Sequence, residues 1–422
     1  MATDLNSPFT LPCGVVLQNR LAKAAMTERL TNSNCRPNQH HFELYRRWGE
    51  QGVGLLITGN MMVDHRYMES AGNIAPLFVD DEEILHRQMQ KDLQTMANAA
   101  RGAHNGEVWV QLNHPGRQCT RFVNNRPLSA SNVQLHKVGF FAKPRPMSVE
   151  QIDMLISQYR ETALMVKEAG FTGIQIHAAH GYLLSQFLSP LTNLRTDAYG
   201  GSLENRARLL LEVVDAVRES CGEHFPISVK LNSADFQRGG FQEADALKVV
   251  KMLEQKKIDL LEVSGGNYEN LAFFETEGKM PDDGSKREST KAREAYFLDF
   301  AQKVRRECQT PIMLTGGIRS RAFADQVLDK GSIDVVGVAR PFLLEADFGA
   351  RFLKEETTLP QTASRKVGWR PVDDLAEAGY WDRQVDLIAH GKDPKPKLGA
   401  WAGLGHILWR EFSKSIGKRI SR

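Results

Sequence analysis

The chain has 422 residues, a formal net charge of +3 at pH 7 and an ordinary charged fraction of 25%. This composition favours neither a nucleic-acid partner nor an acidic substrate, and the length allows one large domain or two to three average ones. The five cysteines are scattered without close pairs, which argues against a disulfide framework, a structural zinc site or an iron–sulfur cluster.

The sequence shows no signal for export or membrane insertion. Its first residues lack the basic and apolar regions of a signal peptide. No apolar run reaches the ~20 residues that a membrane span needs. We therefore expect a soluble, cytoplasmic protein of a reducing compartment.

Short apolar runs alternate with longer helical periods from Leu21 to about Ala350. The predicted strands are Leu21–Met26, Leu55–Thr58, Val108–Leu112, Gly173–His177, Ile227–Leu231, Leu260–Val263, Pro311–Thr315 and Val335–Val338. The predicted helices are Asn38–Glu50, Glu82–Arg101, Val149–Ala169, Leu203–Cys221, Glu243–Gln255, Ala292–Glu307, Arg321–Lys330 and roughly Phe342–Leu353.

Eight strands, each followed by a helix, indicate an α/β fold of the (β/α)8 or TIM barrel type. The strands are apolar at successive positions, as expected where both faces of a parallel sheet are covered. A doubly wound sheet is the alternative, but the sequence after the first strand lacks its usual Gly-x-Gly-x-x-Gly turn.

Two segments fall outside this repeat. Residues 113–147 form a long insertion after the third strand, in which basic and aromatic residues are interleaved. Such an insertion on the catalytic face of a barrel predicts a lid or binding loop, with a solvated excursion as the alternative. Residues 359–422 form a Trp-rich, basic extension, so we divide the chain into a barrel at 1–358 and a helical extension at 359–422.

The extension contains a predicted helical stripe made of Leu404, Leu408, Phe412 and Ile416. This stripe could pack on the outer helices of the barrel, dock on a second subunit to form a homo-oligomer, or lie on a membrane surface. We rank the three in that order, because aromatic stripes belong more often to a core than to an interface.

Functional groups of a TIM barrel lie at the carboxyl ends of its strands. The candidates are Ala25, Met26 and Thr27 around the first strand end, Gly59 and Asn60 after the second, Gln111 in the third, His177, His180 and Tyr182 at the fourth, Lys230 in the fifth, Gly316 and Gly317 after the seventh, and Ala339 and Arg340 after the eighth.

The last two strand ends together indicate a phosphate site. Small residues at Gly316 and Gly317 let backbone N–H groups approach an anion, and Arg340 adds a bidentate cation. A Gly-Gly turn alone would be ordinary turn chemistry. Lys230 also points to an anion, because a lysine in an apolar strand is costly to bury unpaired. Its alternative role is to extend into solvent at the strand end.

His177 and His180 admit three interpretations. As metal ligands they lack a nearby acid or cysteine to complete a catalytic shell, and as structural histidines they would form an unusual pair. As paired hydrogen-bond donors they could hold a developing oxyanion, with Tyr182 as a general acid. No serine–histidine–acid order is apparent, so nucleophilic hydrolysis fits poorly.

Three stretches resemble the Old Yellow Enzyme family of FMN-dependent oxidoreductases. They are Asn19–Thr27, Val110–Arg117 and, most specifically, His177–Arg206 with its His-Ala-Ala-His-Gly-Tyr and Tyr-Gly-Gly-Ser-Leu-Glu-Asn-Arg motifs. The resemblance covers about residues 5–350. It implies a (β/α)8 barrel that binds FMN at its mouth, tightly but without a covalent bond, and is reduced by NADH or NADPH.

The resemblance also implies the reaction and its residues. Hydride would pass from flavin N5 to the β-carbon of an activated alkene, an α,β-unsaturated carbonyl compound. His177 and His180 would hold the carbonyl oxygen, and Tyr182 would protonate the α-carbon. The cofactor would be bordered at its ring by Ala25, Met26 and Thr27, contacted at its pyrimidine edge by Gly59 or Asn60, Gln111 and Lys230, and held at its phosphate by Gly316, Gly317, Ala339 and Arg340.

The sequence departs from the family pattern at Ala25, where many members have proline, and at Lys230, which replaces an arginine. Arg29 stands where one branch has a substrate-binding tyrosine. Two alternatives remain open beside the flavoenzyme: a metal-dependent barrel hydrolase using His177 and His180, and a catalytically silent barrel that serves as a binding protein.

Overall fold

The computed structural model describes residues 3–77, 83–102, 106–136, 139–264, 286–316, 318, 320–354, 360 and 365–420, with the backbone alone at 83, 286–296, 370–371 and 415–420. Its strands are β1 Phe9–Thr10, β2 Val16–Leu17, β3 Leu21–Lys23, β4 Leu55–Met62, β5 Glu107–Asn113, β6 Leu128–Ser129, β7 Arg145–Pro146, β8 Gly173–Ala178, β9 Ile227–Asn232, β10 Leu260–Ser264, β11 Ile312–Thr315 and β12 Val335–Val338. Its α-helices are α1 Gln39–Gly49, α2 Glu83–Arg101, α3 Val149–Glu168, α4 Leu183–Leu188, α5 Leu203–Cys221, α6 Glu243–Gln255, α7 Lys286–Glu307, α8 Arg321–Asp329, α9 Phe348–Leu353, α10 Arg370–Ala389 and α11 Ala400–Ile420.

Eight parallel strands close into a barrel in the order β3-β4-β5-β8-β9-β10-β11-β12. This confirms the predicted (β/α)8 fold. Four predicted bounds were wrong by more than one residue. Helix α7 begins at Lys286 rather than Ala292. The first strand ends at Lys23 rather than Met26, and the second continues through Gly59 to Met62. The last predicted helix is two pieces, a 3-10 turn at Arg340–Leu343 that contains Pro341 and the separate helix α9.

The two ends of the barrel differ in polarity. The β1–β2 hairpin places Leu11 and Leu17 in one apolar cluster with Leu55, Trp109 and Leu260, so the amino ends of the strands are sealed. Toward the carboxyl ends the buried side chains become polar, as the site described below shows. An apolar base and a polar mouth are what a barrel needs to bind a ligand at the carboxyl ends of its strands.

The insertion after β5 is tied to the segment that follows the fourth barrel strand. The Ser129 hydroxyl donates to Gln186 Oε1 at 2.7 Å, and the Arg195 guanidinium donates to the Met147 carbonyl at 2.6 Å. The insertion therefore lies on the side of the barrel where β8 ends. Its role as a lid stays a prediction.

The extension forms two helices that pack on each other, and α10 also packs on the outer helix α1. The predicted stripe was wrong at two positions, because Leu408 and Phe412 are 46% and 56% exposed. Its first member, Leu404, is buried and shares the buried face of α11 with Ile407, and the Ile416 side chain lies outside the described part of the chain. Within that part, no helix has the length and apolarity needed to cross a membrane.

Two glycines let α10 and α11 approach closely. A Cβ added at Gly403 would lie 2.6 Å from the Tyr380 nitrogen and 2.7 Å from the Ala376 carbonyl oxygen, and one added at Gly379 would lie 2.0 Å from the Gly403 carbonyl oxygen. A Cβ at Gly405, two residues further along α11, would meet nothing within 4 Å. Alanine at Gly403 therefore changes both helix packing and helix propensity, whereas alanine at Gly405 changes helix propensity alone.

We expect Gly403→Ala to lower the free energy of unfolding by about 1–3 kcal/mol, because the added methyl group must push α10 and α11 apart. Gly405→Ala is the matched control and should raise it by roughly 0.5–1 kcal/mol through helix propensity alone. Urea denaturation of both variants measures the difference. Equal effects of the two substitutions would contradict the close approach of the helices.

Candidate functional site

His177 is the second-to-last residue of strand β8, and its imidazole is buried. Its Nδ1 atom lies 3.2 Å from the backbone N–H of Ala179, which can only donate. Nδ1 is therefore the acceptor, and in the neutral ring Nε2 carries the proton. Because Nδ1 accepts from Ala179, the Nε2–H group of His177 remains as a hydrogen-bond donor.

His180 is held from three sides. Its backbone N–H donates to Asn232 Oδ1 at 3.1 Å, and its carbonyl accepts from Gln118 Nε2 at 2.9 Å. Its Nε2 atom lies 2.8 Å from the Ser264 hydroxyl. The residue has φ +59°, a left-handed conformation that few side chains adopt, and Gly181 follows at φ +73°. These restraints bring the two imidazole rings within 5.1 Å, nearly perpendicular to each other.

Both imidazoles are uncharged at neutral pH. Burial holds the pKa of His177 and the pKa of His180 well below the usual histidine range, and the Lys230 ammonium lowers both further. A neutral imidazole has one N–H donor and one acceptor. The pair can therefore donate hydrogen bonds to an oxygen at the mouth without carrying charge of its own.

Tyr182 completes the cluster. Its side chain is 5% exposed, and its ring lies 4.8 Å from that of His177 in an edge-to-face arrangement. It occupies the residue before α4, where its backbone is extended and its N–H donates to the Ala179 carbonyl. The structure thus brings together the three predicted catalytic residues.

A chain of buried polar side chains begins beside His177, at Lys230 of the neighbouring strand. The Lys230 ammonium is 2.8 Å from Glu262 Oε1, and Glu262 Oε2 accepts from Gln175 Nε2 at 2.7 Å. Gln175 Oε1 in turn accepts from Gln111 Nε2, also at 2.7 Å. The predicted anion for Lys230 is thus supplied in part by the protein. The sequence analysis did not predict Glu262 or Gln175 as site residues. A carboxylate and an amide inside otherwise apolar strands were the signal that could have identified them.

Two loops lie at the mouth, and the first of them carries the residues expected at the flavin ring. We call residues 24–31 the first loop and residues 63–75 the second loop. Ala25, Met26 and Thr27 are half-buried, and the Thr27 hydroxyl accepts from Asn73 Nδ2 at 3.4 Å. Asn60, near the end of β4, donates to Glu69 Oε2 at 2.8 Å, and its buried Oδ1 atom has no hydrogen-bond partner among the described residues. An orphaned amide oxygen beside the mouth fits the N–H edge of a flavin pyrimidine ring.

Gly59 is engaged on the other side of its strand. Its N–H donates to Glu28 Oε1 at 2.8 Å and lies 2.9 Å from the Tyr45 hydroxyl oxygen, while that hydroxyl donates to Glu28. A Cβ at Gly59 would lie 2.2 Å from Glu28 Oε2, so the residue must be glycine. The Gly59 amide is therefore occupied by the protein, which leaves Asn60 as the residue of this pair with an open polar atom.

Lys23 and Glu28 are two buried ionisable side chains that attract each other electrostatically. The Lys23 ammonium donates to the carbonyls of Ala24 and Ile57 at 3.0 and 3.1 Å and lies over the Trp48 ring. Burial lowers the pKa of Lys23 and raises the pKa of Glu28, and the attraction between them opposes both shifts. Sequence reasoning gave neither residue a role, because the pairing depends on the fold.

The expected phosphate site lies where β11 and β12 end side by side. Gly316 has φ +95°, and a Cβ added there would meet no described atom within 4 Å. Arg340 follows Ala339 at the end of β12, 3.8 Å from Glu377 and over the Trp381 ring. Open space beside a glycine amide, with a guanidinium nearby, fits a phosphate. Gly317 lies outside the described residues.

The alternative in which His177 and His180 bind a metal ion requires further ligands. Among the residues that the structure describes, no three His, Cys, Asp or Glu side chains come together as a metal site requires.

Comparison with known proteins identifies the family. The model of the NADH:flavin oxidoreductase / NADH oxidase family matches residues 4–358. The NADH-dependent flavin oxidoreductase nadA of Aspergillus parasiticus is 38% identical over 338 residues, which cover 78% of this chain and 73% of that protein. The NADH-dependent flavin oxidoreductase iliE of Hypocrea jecorina is 35% identical over 352 residues, with 79% and 85% covered.

Solved structures share the fold. The Old Yellow Enzyme homologue from Zymomonas mobilis superposes with a TM-score of 0.69 at 23% identity, over 85% of this chain and 95% of that one. A 2-naphthoyl-CoA reductase gives 0.76 at 22% identity, and this chain, 92% of which is covered, spans only 58% of its length. The chain therefore belongs to the NADH:flavin oxidoreductase / NADH oxidase family, that of Old Yellow Enzyme, and is an NAD(P)H-dependent flavin oxidoreductase with FMN as its cofactor.

Proposed function

We propose that the protein reduces the activated C=C bond of α,β-unsaturated carbonyl compounds. The observation that carries the proposal is the cluster at the end of β8, where two buried, neutral imidazoles lie within 5.1 Å of each other and beside a buried phenol. FMN, once reduced by NADH or NADPH, supplies the hydride for such a reaction.

His177 and His180 bind the carbonyl oxygen of the substrate. Negative charge develops on that oxygen as the β-carbon is reduced, and prearranged N–H donors stabilise it without reorganisation. The Nε2–H of His177 is left available by the Ala179 contact, while His180 is restrained through Asn232 and Ser264. Neutral donors suit this role because they bind the carbonyl without trapping the product as an ion pair.

Tyr182 supplies the proton to the α-carbon. A phenol stays protonated near neutrality and can act as a general acid when it lies next to the reacting atoms. Its contact with His177 places it on the same side of the mouth as the oxygen-binding pair.

The cofactor would lie between the first loop and the β11–β12 strand ends. We assign Ala25, Met26 and Thr27 to the ring, Asn60, Gln111 and Lys230 to its pyrimidine edge, and Gly316, Gly317, Ala339 and Arg340 to the phosphate. Two observations support this placement of the cofactor. Asn60 Oδ1 has no hydrogen-bond partner among the described residues, and a Cβ at Gly316 would meet no described atom within 4 Å. The Lys230 ammonium would stabilise negative charge on a reduced flavin ring. The Glu262 carboxylate partly neutralises the positive charge of that ammonium.

The reaction is tested by anaerobic stopped-flow. The flavin is first reduced with NADH or NADPH and then reoxidised with a panel of enones and enals. We expect reoxidation that is faster with the activated alkenes than with their saturated analogues, together with a reduced alkene product. Reoxidation by oxygen or quinones alone, with no alkene product, would overturn the proposal.

We expect the double variant His177→Ala, His180→Ala to bind para-substituted phenols at least about tenfold more weakly while FMN stays bound. A hydrogen bond to a charged oxygen contributes about 1.5–3 kcal/mol, and this variant loses two donors. The measurement is a phenol titration followed by the flavin absorbance. His224→Ala, an exposed histidine just before β9 at the opposite end of the barrel, is the control and should bind phenols normally. Unchanged phenol affinity in the double variant would exclude the oxyanion role.

Tyr182→Phe should slow alkene reduction by about 10²–10⁴-fold, the usual contribution of a general acid. Flavin reduction by the nicotinamide should keep its rate, because that step takes no proton from the phenol. Separate stopped-flow measurements of the two half-reactions give both rates. Tyr199→Phe, which removes a hydroxyl bonded to Glu212, is the matched control and should leave both half-reactions unchanged. Equal slowing of both half-reactions in Tyr182→Phe would remove it as proton donor.

A further inference from the structure

The C-terminal helix α11 binds the backbone of the first loop. The Lys414 ammonium donates hydrogen bonds to the carbonyls of Arg29 and Thr31, each at 2.6 Å. The Arg410 guanidinium donates to the Glu28 carbonyl at 3.5 Å. Two cations on one face of α11 therefore bind three carbonyls of one loop. This face differs from the apolar stripe that the sequence predicted.

Arg410 is itself fixed by the extension. Its Nη1 atom lies 2.8 Å from Asp382 of α10, whose carboxylate is also 2.9 Å from His406 Nε2. Burial alone would raise the pKa of Asp382, but the positive charge of Arg410 and the close contact with His406 outweigh it and hold that pKa well below its usual range. The carboxylate is therefore charged at neutral pH, and the guanidinium is oriented by a buried ion pair.

The first and second loops form one unit. The Thr31 N–H donates to the Gly72 carbonyl and the Thr31 hydroxyl to the Asn73 carbonyl, both at 3.0 Å. Glu411 of α11 accepts a hydrogen bond from the Ser70 hydroxyl in the second loop. Helix α11 thus contacts both loops, which carry or adjoin the residues assigned to the flavin ring.

The backbone of the first loop contains an unfavourable conformation that contacts from outside the loop stabilise. Arg29 has φ +54°, a left-handed conformation that is unfavourable for a residue with a long side chain. Its carbonyl is one of the two that Lys414 binds. The cation therefore stabilises a turn that the sequence of the loop disfavours.

The extension reaches the phosphate end as well. Glu377 of α10 lies 3.8 Å from Arg340, and the Trp381 ring lies 5.7 Å below the same guanidinium. These contacts limit the positions that Arg340 can take. One segment outside the matched family region thus contacts the loop that carries the residues assigned to the flavin ring and also contacts Arg340, which is assigned to the phosphate.

We propose that the extension is a positioning element of the flavin site, in which Lys414, supported by Arg410, holds the first loop in the shape that retains FMN. The proposal rests on the cofactor placement given under the proposed function. It assigns the extension to cofactor retention rather than to alkene chemistry, so the two ideas can fail separately.

The test measures the release of FMN from the holoenzyme of the full chain after rapid dilution, with free FMN collected by ultrafiltration at timed intervals. Lys414→Met keeps the length of the side chain and removes its donors, and we expect it to release FMN at least about tenfold faster. Lys414→Arg restores cationic donors and should stay within about threefold of the natural protein.

Two controls separate positioning from general stability. Lys397→Met makes the same change at an exposed site between α10 and α11 and should leave FMN release unchanged. Leu253→Ala removes packing from the buried face of α6, away from the extension, and should lower the urea midpoint without speeding FMN release. The urea midpoint is measured for every variant.

The proposal is overturned if Lys414→Met releases FMN as slowly as the natural protein, or if Leu253→Ala speeds release as much as Lys414→Met does. It is also overturned if Lys414→Arg behaves like Lys414→Met. Faster release from Lys414→Met alone supports it, even in a preparation that reduces no enone, and that outcome would reject the proposed reaction while keeping the positioning role.

Discussion

An ammonium and a carboxylate meet inside the barrel where Lys230 of β9 faces Glu262 of β10. Either charge alone would cost several kcal/mol to bury, and together they compensate each other, with Gln175 bound to the second carboxylate oxygen. A slip of one residue in either strand would turn its charged side chain out of the barrel. The ion pair therefore favours a single register for β8, β9 and β10. That register places His177 directly beside Lys230, at the level where the mouth begins.

The fold was largely accessible from the sequence, because a parallel barrel repeats one pattern eight times. Most positions of the buried strands are apolar on both faces, and the helices between them carry an apolar stripe. The errors occurred where local chemistry misled. Gly59 and Asn60 indicated a turn, yet β4 runs through them, because Glu28 and Tyr45 bind the Gly59 amide from behind. The last predicted helix was wrong because its first residues belong to the 3-10 turn Arg340–Leu343, and α9 begins only at Phe348.

The site was accessible only in part. His177, His180 and Tyr182 are close in sequence, so a strand end followed by a turn was enough to group them. The partners that give them their properties come from other strands: Asn232 from β9 and Ser264 from β10. Such pairings depend on barrel order and register, which a single sequence does not specify. The predicted stripe on α11 failed for a related reason, since polar anchors rather than apolar side chains select the face that meets the barrel.

Helix α11 binds the first loop through carbonyl oxygens, which every amino acid carries. Side chains in that loop can therefore be exchanged while the same hydrogen bonds persist. Arg29 illustrates the separation, because its carbonyl is bound by Lys414 while its guanidinium pairs with Glu69 at the mouth. When a loop is anchored through its backbone, its side chains can change in evolution without loss of the anchoring hydrogen bonds. Substrate preference can then diverge among related enzymes while the framework around the cofactor is inherited unchanged.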